Sequence, residues 1–337
     1  MAAFVKILWA EQNPFLSAAS RGFWGRDVVE VGPPAPFAKL SERVKWGAPS
    51  IVLADLKGVD PHALERSIEQ LMAEHPVPVL LLASAGAQRQ VALAGLAAGA
   101  LDVLELPGSP GGEFWRSLRR QLDLLVQIRV APGARRKRKH HPAPRPGLNQ
   151  TTPLVAIAAS LGGPKAVRIL LAALPARFPA PVAICQHITS GFTQDLARWL
   201  AVETQRKVIE ATAGAALEPG VVYLAPSDAH FVVRPGRLID LDHSPPVGGF
   251  RPSCDVLLKS VAQTYGPHAI GVVLTGMGRD GAQGLSEIRK ARGHTVAQDR
   301  ATSAVFGMPQ EAIALHAAEK VLPLTEIAAQ LSEWVGA

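Results

Sequence analysis

Three side chains that can act together in acyl transfer each follow a short apolar run typical of a buried strand. They are Ser160 after residues 155–159, His187 after residues 181–185 and Asp280 after residues 271–274. A serine attacks a carbonyl carbon when a histidine takes its proton, and an acid holds that histidine in orientation. The three residues therefore predict a nucleophilic hydrolase.

The turn after Ser160 supports this prediction. Leu161, two glycines and Pro164 follow the serine. Glycine lets the backbone approach a ligand closely, and a proline suits the first turn of a helix whose free N–H groups favour negative charge. The alternative is a turn serine or a helix N-cap, and the flanking residues do not form the Gly-x-Ser-x-Gly elbow of α/β-hydrolases.

His187 and Asp280 also have structural alternatives. A lone histidine at a strand end is commonly structural, although open parallel sheets bind ligands at that edge. Asp280 lies in a glycine loop, where it could cap a helix, and the loop lacks the Gly-Lys-Ser/Thr ending of a phosphate-binding loop. Cys185 precedes His187 by two residues, but no second Cys/His pair accompanies them, so we expect no metal site and no cofactor.

The bulk composition is that of a globular protein with more than one core. The chain has 337 residues, of which 48% are hydrophobic, and this length suggests two domains. No run reaches the roughly 18 apolar residues of a membrane span, and the N-terminus lacks the pattern of a signal peptide. With only two cysteines and no disulfide framework, we expect a cytoplasmic protein without membrane insertion.

Apolar runs alternate with helix-like segments on both sides of a proline-rich, basic stretch. This alternation predicts two α/β domains with doubly wound parallel sheets, at residues 1–126 and 153–337, joined by a linker at 127–152. The predicted strands are 5–9, 51–54, 79–83, 103–106, 154–159, 181–186, 207–211, 221–225 and 270–274. The predicted helices are 63–73, 88–98, 114–125, 167–174, 193–202, 255–263 and 284–291. Residues 237–250 are predicted to be irregular.

The net charge of +7 is concentrated in one interval. No acidic residue occurs between Asp123 and Asp195, and ten basic residues do, five of them at 135–139. Proline mixed with like charges favours a solvated tether, with docking onto an acidic partner as the alternative. No DNA-reading element accompanies the run, so we expect no nucleic-acid binding.

An ordered set of motifs fills the second domain. They are Ala-Ser-Leu-Gly-Gly at 159–163, Gln-His-Ile-Thr-Ser-Gly-Phe-Thr at 186–193, Pro-Gly-Val-Val-Tyr-Leu-Ala-Pro at 219–226 with His230 after it, Arg-Pro-Ser-Cys-Asp at 251–255, Leu-Thr-Gly-Met-Gly-Arg-Asp-Gly-Ala at 274–282, Ala-Gln-Asp at 297–299 and Phe-Gly-Met-Pro at 306–309. On these motifs, residues 153–333 resemble the catalytic domain of the chemotaxis protein-glutamate methylesterases, the CheB family.

The resemblance implies a role for each candidate residue. Ser160 is expected to be the nucleophile, His187 the general base and acid, Asp280 the orienting acid, and the Met277 N–H an oxyanion donor. The family hydrolyses methyl esters of receptor glutamates and commonly deamidates receptor glutamines. A methylated chemoreceptor is therefore the expected partner, with a chemosensory histidine kinase as a further one. Two residues depart from the usual Gly-Ala-Ser-Thr-Gly-Gly of the family: Ala158 replaces the first glycine, and Leu161 replaces the threonine.

The first domain resembles a response-regulator receiver, a flavodoxin-like fold, with Asp55 at the phosphoacceptor position. The positions of the usual metal-binding acids read Glu11 and Gln12, and the usual lysine after the fifth strand reads Leu106. The usual hydroxyl residue after the fourth strand reads Ala83, with Ser84 adjacent to it. Since phosphoryl transfer needs a cation and groups that hold the product, we expect a degenerate receiver. The competing hypothesis for the whole chain is a weakly active or inactive scaffold in a chemosensory array.

Overall fold

The computed structural model describes residues 5–10, 15–86, 88–128, 130 and 152–337. The chain forms two compact units, Met1–Ala134 and Arg135–Ala337. Glu11, Gln12 and the basic run at 135–139 lie outside the described residues, as does most of the predicted linker. Within the described part, no helix combines the length and the apolarity needed to cross a bilayer.

The first unit contains a five-stranded parallel sheet. Its strands are β1 (Val5–Ala10), β2 (Val28–Glu30), β3 (Ile51–Asp55), β4 (Val79–Ala83) and β5 (Asp102–Glu105). They lie in the order β2-β1-β3-β4-β5, which is the flavodoxin-like order. The central strands β3 and β4 are buried at every position, as expected of strands covered by helices on both faces.

Among the helices of the first unit, the third has a capped start and the fifth has an amphipathic pattern. They are α1 (Phe15–Ser20), α2 (Leu40–Gly47), α3 (Pro61–Glu74), α4 (Gln88–Ala98) and α5 (Gly112–Leu125). Helix α3 begins where the Asp60 side chain accepts a hydrogen bond from the Ala63 N–H, with Pro61 as the first helical residue. Helix α5 buries Phe114, Leu118 and Leu122 on one face, at helical spacing.

The second unit contains a seven-stranded parallel sheet and a separate hairpin. The strands are β6 (Leu154–Ala159), β7 (Val182–Gln186), β8 (Lys207–Glu210), β9 (Val221–Leu224), β10 (His230–Arg234), β11 (Leu238–Asp242), β12 (Ala269–Val273), β13 (His294–Gln298) and β14 (Lys320–Leu322). The sheet order is β14-β13-β12-β6-β7-β9-β8, while β10 and β11 form the antiparallel hairpin.

The helices of the second unit are α6 (Gly163–Ala173), α7 (Thr193–Thr204), α8 (Cys254–Tyr265), α9 (Ala282–Lys290), α10 (Met308–Ala314) and α11 (Leu324–Val335). In the sheet, β6 lies between β7, the next strand along the chain, and β12, a strand much later in the chain. The order of the strands thus reverses at β6, and a crevice for ligands is expected at the carboxyl ends there.

The predicted α/β class with doubly wound parallel sheets is confirmed, and each predicted helix and strand overlaps an observed one. The prediction that residues 237–250 are irregular was wrong in part, because Leu238–Asp242 is strand β11. Four of its five residues are only partly buried or exposed, so its composition carries no strong apolar pattern. Strands β2, β10, β13 and β14 were not predicted.

Candidate active site

Ser160 and His187 are neighbours at the carboxyl edge of the second sheet. Each is the first residue after its strand, β6 or β7, and the strands pair with Ala159 opposite Gln186. The next positions in this register are Ser160 and His187, and the His187 N–H donates to the Ala159 carbonyl at 2.9 Å. Because paired strands lie about 4.8 Å apart, the register alone brings the two backbones together.

The turn after β6 holds Ser160 close to the strand on its other side. The Ser160 N–H donates to the Thr275 carbonyl at 3.0 Å, and the Gly163 N–H donates to the Ser160 carbonyl at 2.8 Å. Between them, Gly162 has a φ of 72°, a left-handed conformation that favours glycine. Helix α6 then begins at Gly163, so its first turn lies beside the serine.

Asp280 is a buried carboxylate with four hydrogen-bond donors. The His187 Nε2 atom lies 2.9 Å from Oδ2, which also accepts the Cys254 N–H at 2.7 Å. The Ser253 hydroxyl donates to Oδ1 at 2.8 Å, and the Asp255 N–H donates to it at 2.9 Å. Burial acts to raise the pKa of Asp280, but His187 and the amide donors outweigh it and lower the pKa below its ordinary value.

Asp280 and Asp255 cap each other's helices. Asp280 accepts the first N–H groups of α8, while Oδ1 of Asp255 accepts the N–H groups of Gly281 and Gly284 at the start of α9. A helix N-terminus carries free donors and partial positive charge, so each carboxylate stabilises one helix end. The capping role that the sequence offered as the alternative for Asp280 is present together with its contact to His187.

The two ring nitrogens of His187 have different surroundings. Nε2 faces Asp280, whereas Nδ1 is buried and has no hydrogen-bond partner among the described residues. With Asp280 accepting the Nε2–H, the lone pair of the neutral ring is on Nδ1. The Phe250 ring stacks on the imidazole, with centroids 4.1 Å apart and planes within 1° of parallel. Nδ1 is therefore the nitrogen available to take a proton.

The pKa of His187 reflects opposing effects. Burial acts to lower this pKa, but the Cys254 sulfur and the Asp280 carboxylate outweigh it and raise the pKa above its ordinary value. Burial raises the pKa of the Cys254 thiol well above its ordinary range, so that thiol is neutral near neutral pH. The contact with Asp280 is therefore the interaction that keeps the pKa of His187 raised under those conditions.

Gln186 is a positioning residue that the sequence analysis did not identify. Its Nε2 atom donates to the carbonyls of both Ser160 and His187, each at 2.8 Å. One side chain thus fixes the two backbone turns that carry the serine and the histidine. A polar residue at the last position of an otherwise apolar, buried strand was the available signal for this role.

A second supporting contact reaches Asp280 through Ser253. The Ser253 N–H donates to Nδ1 of the buried His230 at 3.1 Å, while its hydroxyl donates to Asp280. His230 belongs to the motifs that carry the family resemblance, but its partner is more than twenty residues away in the chain. This pairing required the folded structure.

The loop after β12 lies against the nucleophile. A Cβ atom added to Gly276 would lie 2.7 Å from the Ser160 Cβ, so only glycine fits there. The Gly276 N–H donates to the Val305 carbonyl at 3.0 Å, and Met277 follows, half-buried. This places the predicted oxyanion residue in the loop that touches Ser160. Its role stays a prediction.

The two departures beside the nucleophile are accommodated differently. A Cβ atom on Gly281 would approach the Ala158 Cβ to 2.9 Å, so the alanine methyl occupies the space under the loop that carries Asp280. Leu161 is half-buried, and its carbonyl accepts the Thr275 hydroxyl at 2.9 Å. That bond anchors the turn through the backbone, independently of the side chain at position 161.

In the first unit, Asp55 ends strand β3 and is buried. Its Oδ1 atom accepts the Lys57 N–H at 3.0 Å, and burial raises the pKa of the carboxyl above its ordinary value. Ala83 ends β4, and the buried Leu106 follows β5. The carboxyl ends of β4 and β5 therefore carry apolar side chains at these two positions.

Comparisons with known proteins identify relatives along nearly the whole chain. The family model described as CheB methylesterase matches residues 155–331. Protein-glutamate methylesterase FrzG of Myxococcus xanthus is 49% identical over 325 residues, which cover 94% of this chain and 95% of that protein. Protein-glutamate methylesterase/protein-glutamine glutaminase 2 of Anaeromyxobacter dehalogenans is 44% identical over 287 residues, covering 85% of this chain and 83% of that protein.

A solved structure matches the second unit. The CheB methylesterase catalytic domain of Thermotoga maritima is 37% identical, with a TM-score of 0.52. The match covers 54% of this chain and 97% of that domain.

The contact between Gly163 and Gln186 generates a testable prediction. A Cβ atom at position 163 would lie 2.0 Å from the Gln186 Oε1 atom. We expect Gly163→Ala to lower the free energy of unfolding by about 1–3 kcal/mol, because Gln186 must leave the two carbonyls that it holds. Urea unfolding followed by circular dichroism measures this change.

Gly112→Ala is the matched control, since Gly112 is also the first residue of a helix. The nearest atom to its added Cβ is the end of the flexible Arg116 side chain, at 3.4 Å. We expect Gly112→Ala to be neutral or slightly stabilising. Equal destabilisation by both substitutions would show that the backbone, and not the displacement of Gln186, is responsible.

Proposed function

The chain belongs to the CheB methylesterase family, and we propose that it hydrolyses glutamate methyl esters on chemoreceptors with Ser160, His187 and Asp280 as its catalytic residues. The observation that carries this proposal is the arrangement of the three residues. Ser160 and His187 are register neighbours at two strand ends, and Asp280 accepts the Nε2–H of His187. Both curated relatives named above are protein-glutamate methylesterases, and each matches more than four-fifths of the length of this chain.

The proposed reaction is acyl transfer through a covalent intermediate. The Ser160 oxygen attacks the ester carbonyl carbon while Nδ1 of His187 takes the serine proton. The Asp280 carboxylate stabilises the imidazolium that forms, because it already accepts the Nε2–H. The imidazolium then gives its proton to the departing methoxide, so methanol leaves and an acyl-enzyme remains.

Water completes the reaction by the same route in reverse. Nδ1 of His187 takes a proton from water, whose oxygen attacks the acyl carbon, and the proton returns to Ser160 as the ester bond breaks. The products are a glutamate carboxylate and free serine. A glutamine side chain would follow the same steps with ammonia as the leaving group, which gives the glutaminase activity that the name of one relative includes.

We assign the oxyanion contact to the N–H of Met277. In its support, Gly276 packs so closely against Ser160 that an added Cβ atom would lie 2.7 Å from the Ser160 Cβ, and the N–H of Met277 is in the next peptide of that loop. Removal of one such donor typically costs about 10²–10³ in rate. Because the donor is a backbone group, the side chain at position 277 can vary without loss of this contact.

We propose that the first unit keeps the receiver fold without its phosphorylation chemistry. Asp55 is buried, with a raised pKa, and apolar side chains stand at the end of the neighbouring strand β4 and just after β5, which lies beyond β4. The loss of the lysine and of one acid removes groups that hold a phosphoryl product and its cation. A chemosensory kinase would then contact this unit without transferring phosphate to it.

The central test of the proposed function is methanol release from a methylated receptor. We expect Ser160→Ala to reduce release to the rate of the receptor alone, because no other group in the site forms the acyl-enzyme. Ser332→Ala is the matched control, since it removes a serine hydroxyl from α11 in the same unit. Equally slow release by wild type and Ser160→Ala would favour the scaffold hypothesis instead.

The raised pKa of His187 predicts the pH dependence of the reaction. The base must be neutral to accept a proton, so kcat/KM rises with pH through a midpoint above the ordinary histidine value of about 6.5. Asp280→Asn removes the charge that raises this pKa, so the midpoint should fall and kcat should drop by about 10⁴. A midpoint that stays unchanged in Asp280→Asn would argue against the proposed effect of Asp280 on the pKa of His187.

The degenerate receiver predicts that Asp55 does not accept a phosphoryl group. After incubation with acetyl phosphate and Mg²⁺, intact mass measurement should show the same mass for wild type and for Asp55→Asn apart from the substitution. A phosphate adduct that is present in wild type and absent in Asp55→Asn would overturn the assignment.

A further inference from the structure

The only two cysteines of the chain meet at His187. Cys185 is on β7, two residues before the histidine, and Cys254 is the first residue of α8. The two Sγ atoms and a nitrogen of the His187 ring all lie within 4.8 Å of one another. From this cluster we propose that the second unit binds a thiophilic divalent cation, Zn²⁺, through Cys185, His187 and Cys254, and that the bound ion switches the esterase off.

The separations fit tetrahedral zinc. With Zn–S near 2.3 Å and Zn–N near 2.0–2.1 Å, the sulfur–nitrogen edge of a tetrahedral site is about 3.6 Å. The Cys254 Sγ atom lies 3.5 Å from Nε2 of His187. The sulfur–sulfur edge of such a site is about 3.8 Å, so the two thiols need to approach each other by about 1 Å at most.

The ligand chemistry selects the ion. Two thiolates and an imidazole are soft and intermediate donors, which favour Zn²⁺ over Mg²⁺ or Ca²⁺. Both cysteines are fully buried, and a buried charge needs compensation. Two thiolates balance the charge of Zn²⁺, so the occupied cluster is neutral. Cys254 contacts Asp280 through its backbone N–H, whereas its thiol contacts the Cys185 carbonyl and His187 Nε2, each at 3.5 Å, so an ion would replace these two weak thiol contacts.

Proton balance explains why the ion would inhibit the esterase, a consequence that rests on the proposed function. In the form that acts as a base, both cysteines are thiols and the neutral His187 ring carries its one proton on Nε2. Zinc takes the two sulfurs and Nε2, two thiol protons pass to solvent, and the Nε2 proton moves to Nδ1. Nδ1 then has no lone pair for the Ser160 proton, and the bond from His187 to Asp280 is lost.

Access to the cluster is through the Phe250 side. The His187 side chain is 10% exposed, while the Phe250 ring that stacks on it is itself 37% exposed. Phe250 lies on the connection between β11 and α8, outside the parallel sheet. An ion that reaches the imidazole from this side would have to displace the Phe250 ring, which is not part of any strand of the sheet.

The test uses the full chain, freed of metal with a chelator and kept reduced with a phosphine. Co²⁺ serves as the spectroscopic probe, because thiolate ligation gives a near-ultraviolet charge-transfer band and tetrahedral geometry gives strong visible bands. We expect one Co²⁺ per chain with two thiolates, displaced by Zn²⁺. Loss of a residue that only supports a metal ligand typically weakens metal binding about 10–100-fold. Cys185→Ala and Cys254→Ala each remove a ligand itself, so each should weaken Zn²⁺ binding by more than this.

His294→Gln is the matched control, because it removes a partly exposed imidazole that is not in the cluster. It should keep the full Co²⁺ spectrum, and circular dichroism checks that each variant is folded. Absence of a stoichiometric thiolate band in wild type, or its persistence in both cysteine variants, would overturn the site. So would conversion of the two thiols to a disulfide under the same reducing conditions.

A second readout separates this inference from the proposed function. Zn²⁺ should lower the rate of methanol release by wild type at least about 10-fold relative to the metal-free wild type. It should lower the rate of Cys254→Ala much less, relative to that variant's own metal-free rate. A thiolate spectrum without any esterase activity would keep the metal site and reject the proposed function. Esterase activity that Zn²⁺ leaves unchanged, in a chain that shows the spectrum, would reject the switch.

Discussion

The buried carboxylate of Asp280 is the constraint on which the rest of the site depends. A carboxylate taken out of water is costly unless donors replace the water. Here the donors are the His187 ring, the Ser253 hydroxyl and two N–H groups at the start of α8. These groups come from different parts of the fold. To satisfy Asp280, the chain must bring the end of β7 and the first turn of α8 to the loop after β12.

The hydrogen bonds that the buried Asp280 carboxylate needs also link the starts of α8 and α9 to the candidate catalytic residues. Asp280 caps α8, and Asp255, from the first turn of α8, caps α9. Movement of either helix end would leave a buried acceptor or donor unsatisfied, at a cost of about 1–3 kcal/mol for each neutral group. The orientation of the imidazole is thus supported by two helix starts, while Gln186 fixes the backbone of the serine and histidine turns. The residues of this site are thus held in position mainly by hydrogen bonds to backbone carbonyl and N–H groups.

The sequence predicted those parts of the fold and the site that depend on local patterns. Strands such as Leu154–Ala159 are continuous apolar runs, and the residue that follows such a run is expected at the carboxyl edge of the sheet. Ser160 and His187 were found in this way. Strand β13, with a histidine, a threonine and a glutamine among its five residues, gives no such run, although its last four positions are fully buried. Its pairing with β12 decides its conformation, and pairing is not visible in one segment.

The contacts of Cys254 show most clearly why the remainder needed the structure. Its spacing from Cys185 and His187 in the chain is too long to predict a shared site, and the expectation of no metal site rested only on the residues near the histidine. Asp280 accepts N–H groups from the start of α8, which places that helix end beside His187. The thiol of Cys254, the first residue of the helix, therefore lies against the imidazole. A carboxylate that organises an imidazole by burial therefore also decides which side chains surround Nε2. In this chain, the side chain that it brings there is the Cys254 thiol, which joins Cys185 of β7 beside the imidazole.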